Sequence, residues 1–343
     1  MKPFIAVPAV LALVHRAWSR KSLTPLGIVC AAFTAIAHAL HPWSAPFALL
    51  VVFYLSGTKV TKVKHDIKAR LTLSATGSEG GEGQRTHIQV LANSIVATVL
   101  ILVHTYFIAK ERKSDLESCF SNGRHAADLF VVGIVANYAA VAADTFSSEL
   151  GILSKSKPRL ITSPTLRVVP PGTNGGVTAT GLMAGMLGAF IVAVTSEILI
   201  PFCGYRSLVD RTQWVLAFTL CGTLGSLLDS VLGGLLQASV VDKRTGKVIE
   251  GSGGAKVLIH PSARPGGTTG LGAAGLHASE AARQRRGEKD TGDSAPKKDE
   301  SHESRRVESG QDLLDNNAVN ILMALTMSVF AMGVANYVWG ISF

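Results

Sequence analysis

The chain has 343 residues, of which 47% are hydrophobic and only 17% charged, with a mean hydropathy of +0.31. A soluble domain carries about a quarter charged residues, and here the apolar residues cluster in long runs, which excludes one large soluble core. The net charge of +9 is concentrated in a few loops. That pattern favours anionic lipid headgroups and anionic substrates, and we expect no nucleic-acid partner.

The apolar runs predict an all-α fold, a polytopic integral-membrane helical bundle with about eight spans, six to eight being compatible with the sequence. A span needs about 20 mostly apolar residues. No small-residue cleavage site follows the first run, which favours a retained helix over a signal peptide. The second and third runs flank His41-Pro42, and a re-entrant hairpin is the alternative for them. The candidate spans are 3–18, 24–40, 42–57, 88–109, 126–143, 177–200, 212–238 and 318–341.

Most of the 33 lysines and arginines fall in alternate loops, and this asymmetry predicts the orientation. The N-terminus is then outside, with loops 58–87, 155–167 and 243–306 in the cytoplasm. The excess of lysine and arginine in the cytoplasmic loops remains when the long last loop is left out of the count. We expect a protein of the endoplasmic reticulum or another endomembrane, with its site facing the cytoplasm. The oligomeric state stays open.

Residues 277–310 are rich in Glu, Lys, Arg, Ser, Gly and Asp and contain almost no large apolar residues. This composition predicts a disordered, charged insert in the last cytoplasmic loop. The insert separates a membrane domain, 1–276, with seven helices and most of the candidate site motifs, from a final motif and helix at 311–343.

The four cysteines, Cys30, Cys119, Cys203 and Cys221, show neither CxxC nor zinc-binding spacing. We expect isolated thiols, with a Cys119–Cys203 disulfide as the less favoured alternative. The ten histidines show no paired-ligand spacing inside the apolar runs. They are interpreted as structural or interfacial.

The most informative segment is 143–151, at the end of the fifth apolar run. On a helix Asp144 and Ser148 lie one turn apart, as do Thr145 and Glu149, so the four share one polar face. A carboxylate at a membrane edge is costly to place and is therefore a functional candidate. A solvated helix cap is the alternative, but capping needs only one such residue.

A glycine-rich turn follows about twenty residues later and precedes the sixth apolar run. Backbone amides at such a turn, next to a helix start, bind anions. This predicts phosphate contacts at Gly172, Thr173, Asn174, Gly175 and Gly176. Three cations, Lys155, Lys157 and Arg159, stand between the acidic segment and the turn, and they are either phosphate ligands or solvated surface charges.

Three further polar rows repeat at a spacing of four, so each lies on one helix face. Small residues beside Asp229 permit close helix approach and predict that its carboxylate points into the bundle, a structural aspartate being the alternative. Solvated helix ends are the alternative for the other two rows. The orientation above places all three near one membrane face, which favours a single site. The rows are Arg85, Gln89 and Asn93; Gly225, Asp229, Gly233 and Gln237; and Asp312, Asn316 and Asn320, with Asp315 beside the last.

In their order along the chain these motifs resemble the transmembrane protein 19 family, which includes the plant phytyl-phosphate kinase. The resemblance covers nearly the whole chain apart from the insert. It implies an integral-membrane kinase that converts an isoprenyl (phytyl-type) monophosphate to its diphosphate, with CTP as donor and Mg²⁺ as cofactor. The segments that carry it are Arg85 with 89–93, Asp144–Gly151, Ser154–Thr162, Pro171–Thr178, Gly225–Ser230 and Asp315–Asn320.

The resemblance assigns roles that agree with phosphoryl transfer, a reaction that depends on positioning and charge neutralisation. Asp144, Asp229 and Arg85 are the expected catalytic residues. Mg²⁺ takes few carboxylates and keeps waters. Its expected ligands are Asp144, Glu149, Asp229 and Asp315. The expected substrate and nucleotide contacts are Asn93, Ser148, Lys155, Lys157, Arg159, Gly172, Thr173, Asn174, Gly175, Gly176, Asn316 and Asn320.

Three other functions stay open. A more distant likeness to polyprenol and phytol kinases makes a lipid alcohol the alternative acceptor. The surplus of cations, Arg85, Lys155, Lys157 and Arg159, favours an acceptor that is itself anionic. A transporter would also bury carboxylates among broken, glycine-rich helices, although its polar residues would follow a path across the membrane. A non-catalytic scaffold would tolerate substitution at these positions.

Overall fold

A computed structural model describes residues 1–81, 83–110, 119–257 and 304–341. Nine α-helices lie in these ranges, and the predicted helical membrane bundle is confirmed. Most of the expected disordered insert, up to residue 303, lies outside the described residues. The helices are α1 (Pro3–Ser19), α2 (Pro25–Ala39), α3 (Ala45–Lys62), α4 (His65–Leu71), α5 (His87–Lys110), α6 (Asp128–Gly151), α7 (Ala179–Leu199), α8 (Leu208–Leu236) and α9 (Asn316–Trp339).

Each of the eight predicted spans coincides with a helix, but not every helix is long enough to cross a membrane. Helices α5 to α9 pass by length and composition, and α3 with α4, bent by 69°, would make a sixth span. Helices α1 and α2 have only 17 and 15 residues. At about 1.5 Å per residue they fall short of a hydrocarbon core about 30 Å thick.

Helix α6 is the centre of the bundle, because 83% of its most apolar stretch is buried, against 33–39% for the other four long spans. The neighbouring helices pack close to α6 because small residues lie at the contacts. A Cβ atom added at Gly222 of α8 would lie 2.6 Å from the carbonyl oxygen of Ala139 in α6. Only glycine fits there, so the backbone of α8 rests directly on α6.

The helix ends alternate between two ends of the bundle, in the order that the lysine and arginine pattern predicts. At one end, called the polar end, Leu23 before α2 forms a β-bridge with Arg85 before α5. At the opposite end the amino group of Met1 donates to the carbonyl oxygen of Ala39, 3.1 Å away. The loops on either side of α6 and α8 follow the same alternation.

A four-stranded sheet, which the sequence analysis did not predict, lies at the polar end. Strand β6 (Arg305–Ser309) lies within the insert that was predicted to be disordered, 277–310, so that prediction is wrong for these 5 residues. Buried Val240 pairs with Val307, so a short apolar contact holds this strand although its neighbours in sequence are charged. The strand order is β1 (Leu73–Ser74), β5 (Val248–Glu250), β4 (Ser239–Asp242) and β6 (Arg305–Ser309), and a separate hairpin pairs β2 (Arg159–Leu160) with β3 (Gly176–Val177).

The opposite end, called the disulfide end, contains a Cys119–Cys203 bond. The expectation of four isolated thiols is wrong for this pair, whereas Cys30 and Cys221 are free. The amide of Phe120 donates to the carbonyl of Pro201, which joins the two loops that carry the bonded cysteines. The less favoured alternative, a disulfide between these two cysteines, is therefore confirmed, although their separation of 84 positions gave it little support.

Candidate functional site

A cavity of about 900 Å³ opens at the polar end, between α5, α6, α8 and α9 and the inner strands of the sheet. The structure thus brings together most of the residues that the sequence singled out. Those on its wall are Arg85, Asn93, Asp144, Ser148, Glu149, Gly172, Thr173, Asn174, Gly175, Gly176, Asp229, Asp315, Asn316 and Asn320.

Two carboxyl groups meet at the centre of this wall. Asp144 lies near the end of α6 and Asp229 near the end of α8, and their side chains are within hydrogen-bonding reach of each other. Two negative charges so close repel unless a proton or a cation lies between them. The amide nitrogen of Asn320, oriented toward its acceptors, donates to Asp229 Oδ1 and to the Asn316 carbonyl, both at 3.1 Å.

The other two expected metal ligands are not in this pair. Glu149 forms an ion pair with Lys68, and Asp315 accepts from the Ala318 amide at 2.8 Å as the N-cap of α9. In the described ranges no three His, Cys, Asp or Glu side chains form a group that would hold a metal ion. Mg²⁺ is commonly held by one or two carboxylates together with substrate phosphates and waters, so Asp144 and Asp229 still fit it.

Lys68 belongs to the predicted cytoplasmic loop 58–87 but was not among the expected site residues. It lies on α4, and its ammonium donates to the Thr61 carbonyl at 2.6 Å and to Glu149. The two charged side chains are only 7% and 11% exposed. The ion pair therefore fixes the bent α3–α4 segment against the acidic end of α6. A partner 81 residues away in sequence leaves no local signal.

The polar row Arg85, Gln89 and Asn93 begins just before helix α5, which starts at His87. Arg85 Nη2 donates to Thr61 Oγ1 at 3.1 Å, and Asn93 Nδ2 donates to the Gln89 carbonyl at 2.9 Å. Arg85 Nη1 and the methyl group of Thr145 both lie 3.6 Å from the Cβ position of Gly57. The guanidinium is thus close to the acidic segment of α6, as the single-site interpretation requires.

The glycine turn lies on the cavity wall, but most of its amides have partners within the fold. The Thr173 amide donates to Pro170, the Asn174 amide to Ser239 Oγ, and the Gly176 amide to Thr173. Gly175 has a φ of +77°, and an added Cβ would lie 2.7 Å from the Cα of Gly234 in α8. The turn's evident role is close packing against α8, and α7 begins only after β3 and the cap at Thr178.

The three cations expected beside the turn, Lys155, Lys157 and Arg159, are exposed and do not line the cavity. Arg159 Nη1 instead donates to the Leu166 carbonyl at 3.2 Å. An unexpected cation, Lys256, does line it, with Nζ 3.3 Å from Asp312 Oδ1. It follows a glycine-rich segment without helical periodicity, so no helix pattern marked it.

Strand β5 adds an acid that was also missed. Glu250 lines the cavity and accepts from the Gly81 amide at 3.4 Å. Burial raises the pKa of Glu250, and the nearby charge of Glu149 acts in the same direction. The next residues, Gly251 to Gly254, continue the wall toward α9, where Asn317 Nδ2 donates to the Gly253 carbonyl at 3.0 Å.

Comparison with known proteins identifies relatives over most of the chain. The family described as "Integral membrane protein DUF92" matches residues 8–328. Protein PGR of Arabidopsis thaliana is 36% identical over 246 residues, 68% of this chain and 80% of its own length. Protein VTE6, chloroplastic, of the same plant is 30% identical over 195 residues, 57% of this chain and half of its own length. An uncharacterized membrane protein of Synechocystis, sll0875, is 27% identical over 220 residues, 64% of this chain and 73% of its own length. No solved structure matches the chain.

Proposed function

Since the chain belongs to the DUF92 family of integral membrane proteins, and its motifs resemble those of the transmembrane protein 19 family, we propose that it is a membrane lipid kinase. It converts an isoprenyl monophosphate of the phytyl type to the diphosphate, with CTP as donor and Mg²⁺ as cofactor. The choice of CTP rests on the resemblance alone.

The observation that carries the proposal is the Asp144–Asp229 pair on the wall of a large polar cavity. Phosphoryl transfer depends on neutralising the charge of the phosphates and on aligning the two reactants, more than on covalent catalysis by the protein. Mg²⁺ bound at the two carboxylates would neutralise phosphate charge. Asn320 holds the Asp229 carboxylate in place, and Arg85 and Lys256 are the cations on the described part of the wall.

A monophosphate acceptor suits this wall better than an alcohol does. An alcohol must lose a proton during transfer, and a positioned base such as histidine helps it do so. A phosphate monoester is already ionised near neutral pH, since its second pKa is about 6. Two cations, Arg85 and Lys256, line the cavity along the described residues and favour an acceptor that is already anionic. The polyprenol-type alcohol kinase is therefore the second choice.

The cavity is proposed to face the cytoplasm, in the endoplasmic reticulum or another endomembrane. Two independent features support this orientation. Lysine and arginine are concentrated in the loops of the polar end, as expected for cytoplasmic loops. The Cys119–Cys203 disulfide lies at the other end, and disulfides form and persist mainly in oxidising compartments.

Labelling of introduced cysteines tests this orientation. Arg244→Cys places an exposed thiol at the polar end, and Tyr205→Cys places one at the disulfide end, where Tyr205 is 94% exposed. In sealed microsomes with the cytoplasmic face outward, a membrane-impermeant maleimide should label the first thiol and not the second. The reverse pattern would refute the orientation without bearing on the chemistry.

The reaction is tested with purified protein, Mg²⁺, labelled CTP or ATP, and matched isoprenyl alcohols and monophosphates. We expect label in the diphosphate from the monophosphate. Faster phosphorylation of the alcohol would overturn the choice of acceptor. Lipid or solute flux in vesicles without nucleotide use would replace the kinase with a carrier.

A further inference from the structure

A narrow apolar cleft lies beside the polar cavity, between α1, α2, α3 and α5. Three residues, Arg85, Gln89 and Asn93, line both spaces, so the cleft and the cavity meet at the start of α5. The rest of the cleft wall is almost entirely aliphatic or aromatic. Its members include Val10 and Ala17 of α1, Ala32 of α2, Leu50 and Phe53 of α3, and Val90 of α5.

The few polar side chains inside the cleft are already satisfied by the protein. Thr34 Oγ1 donates to the Cys30 carbonyl at 2.9 Å, and Ser94 Oγ donates to the Val90 carbonyl at 2.8 Å. The Tyr54 hydroxyl shares a hydrogen bond of 2.9 Å with Ser22 Oγ. An occupant therefore needs no polar groups beyond the junction with the cavity, and apolar contact is what the wall offers.

The dimensions indicate an extended occupant. The free volume of the cleft is about 70 Å³, against about 900 Å³ for the cavity. Its wall runs from Ala17 to Val10 on α1, which is about 10 Å at roughly 1.5 Å per residue. A space this narrow admits one apolar chain rather than a folded tail, and it encloses only a short part of that chain, while the rest lies in the surrounding lipid.

We propose that this cleft binds the isoprenoid tail of the substrate, with the phosphate held in the cavity beyond Arg85. The inference rests on the proposed kinase function for the identity of the headgroup. The commitment to a tail rests on continuity, because one occupant with an anionic head and an apolar chain fits both spaces across one junction. Helices α1 and α2, too short to serve as ordinary spans, then have a defined role as the outer wall of the cleft.

Chain-length selectivity tests the cleft. Ala32 lies about two turns inside α2 on the cleft wall and is partly exposed there, so Ala32→Phe would block the deeper part. Val29→Phe is the matched control, since Val29 is on the same helix but is 48% exposed and does not line the cleft. The substrates are dimethylallyl, geranyl and geranylgeranyl monophosphate, with five, ten and twenty carbons.

We expect Ala32→Phe to lower kcat/KM for the twenty-carbon monophosphate at least tenfold and to leave that of the five-carbon one within twofold. Val29→Phe should leave both unchanged. An equal loss for short and long substrates, or an equal loss in the control, would overturn the inference. Ala32→Leu should give an intermediate effect on the long substrate, which separates partial blockage of the cleft from a folding defect.

A binding readout keeps this inference separate from the kinase proposal. A geranylgeranyl monophosphate analogue with a diazirine at the end of its tail should crosslink to peptides of the cleft helices α1, α2, α3 and α5, and Ala32→Phe should reduce that label. Crosslinking there without turnover of any monophosphate would refute the kinase and leave the cleft standing. Turnover with crosslinking only to α6–α9 would refute the cleft and leave the kinase standing.

Discussion

The two ends of the bundle differ in how their residues are held. At the disulfide end, a covalent bond and a packed aromatic group, Phe120, Phe202, Trp214 and Trp339, join the loops. At the polar end a large cavity separates the helices, carboxylates and amides line it, and one of these carboxylates, Glu149, is held by the buried ion pair with Lys68. Packing closes the first end, whereas the second is kept open, as expected where a protein positions a charged ligand.

The difference between the two ends also accounts for the tight packing around helix α6, at the centre of the bundle. Helix α6 touches both ends and is the most buried of the long spans. Its glycine- and alanine-mediated contacts with α7 and α8 fix the direction in which Asp144 and Asp229 point. Rigid packing along the helices keeps the two carboxyl groups together, which requires a proton or a cation between them. If the polar end carries the chemistry and the disulfide end only stability, variants at the first should lower turnover and variants at the second should lower only stability.

The largest expected effect is at the carboxyl pair. Asp144→Asn and Asp229→Asn each keep the shape of the side chain but remove a charge that would bind Mg²⁺. Turnover of the isoprenyl monophosphate should fall by roughly a hundredfold or more, consistent with loss of a main electrostatic group. The yield of folded protein, judged by gel filtration in detergent, should stay close to wild type.

Asp242→Asn is the control for these variants. Asp242 lies at the same end, in the β4–β5 hairpin, and does not line the cavity. Its side chain accepts from the Thr245 amide at 2.7 Å, so a small loss of stability is acceptable but turnover should persist. Near-normal turnover in Asp229→Asn would return that residue to a structural role.

The second-largest effect is expected at the Lys68–Glu149 ion pair. Lys68→Met leaves the Glu149 carboxylate buried without its partner, and breaking a buried pair in this way costs about 3–5 kcal/mol. Thermal unfolding in detergent should show a clear drop in stability. Adding Glu149→Gln to the variant removes the uncompensated charge and should restore most of the loss. No rescue in the double variant would mean that Glu149 has another essential partner, such as a metal ion.

The disulfide end should respond in stability alone. Cys119→Ser removes a cross-link that closes a loop of 84 residues, and loss of a native disulfide costs about 2–5 kcal/mol. The melting temperature should fall, while kcat of the remaining folded protein should stay within about twofold of wild type. Cys221→Ser, at a free cysteine, is the control. A specific loss of turnover in Cys119→Ser would break the division between the two ends.

The sequence predicted those parts of the fold and the site whose pattern lies within one helix, and it did not predict contacts between distant segments. Hydropathy located all eight apolar helices, and a spacing of four grouped Asp144, Asp229 and Asn320 with other polar or small residues on single helix faces, since both patterns lie within one helix. The sheet was missed because its strands have two to five residues, too short for an alternation pattern. The Lys68–Glu149 pair and the disulfide join distant segments, and single-sequence periodicity carries no information on such contacts.

The cations that were predicted to bind phosphate show the same limit of sequence patterns. Proximity in sequence suggested that Lys155, Lys157 and Arg159 bind phosphate, but the hairpin of β2 and β3 holds Arg159 at the surface. Lys256, about a hundred residues further on, reaches the cavity because β5 leads it there. Nearness along the chain predicts nearness in space within a helix but not across a turn.

The smallest expected effect is therefore at the exposed cations. Lys155→Ala, Lys157→Ala and Arg159→Ala should each change the KM for the isoprenyl monophosphate by less than about twofold, because solvent screens exposed charges. Arg85→Ala is the matched variant inside the cavity, and it should raise that KM about tenfold or more, because its guanidinium is next to the acidic segment. Both sets are measured at low and moderate salt, since a surface contribution would fade as salt rises. A larger KM effect in Arg159→Ala than in Arg85→Ala would place the monophosphate at the surface hairpin and remove the cavity from the acceptor's path.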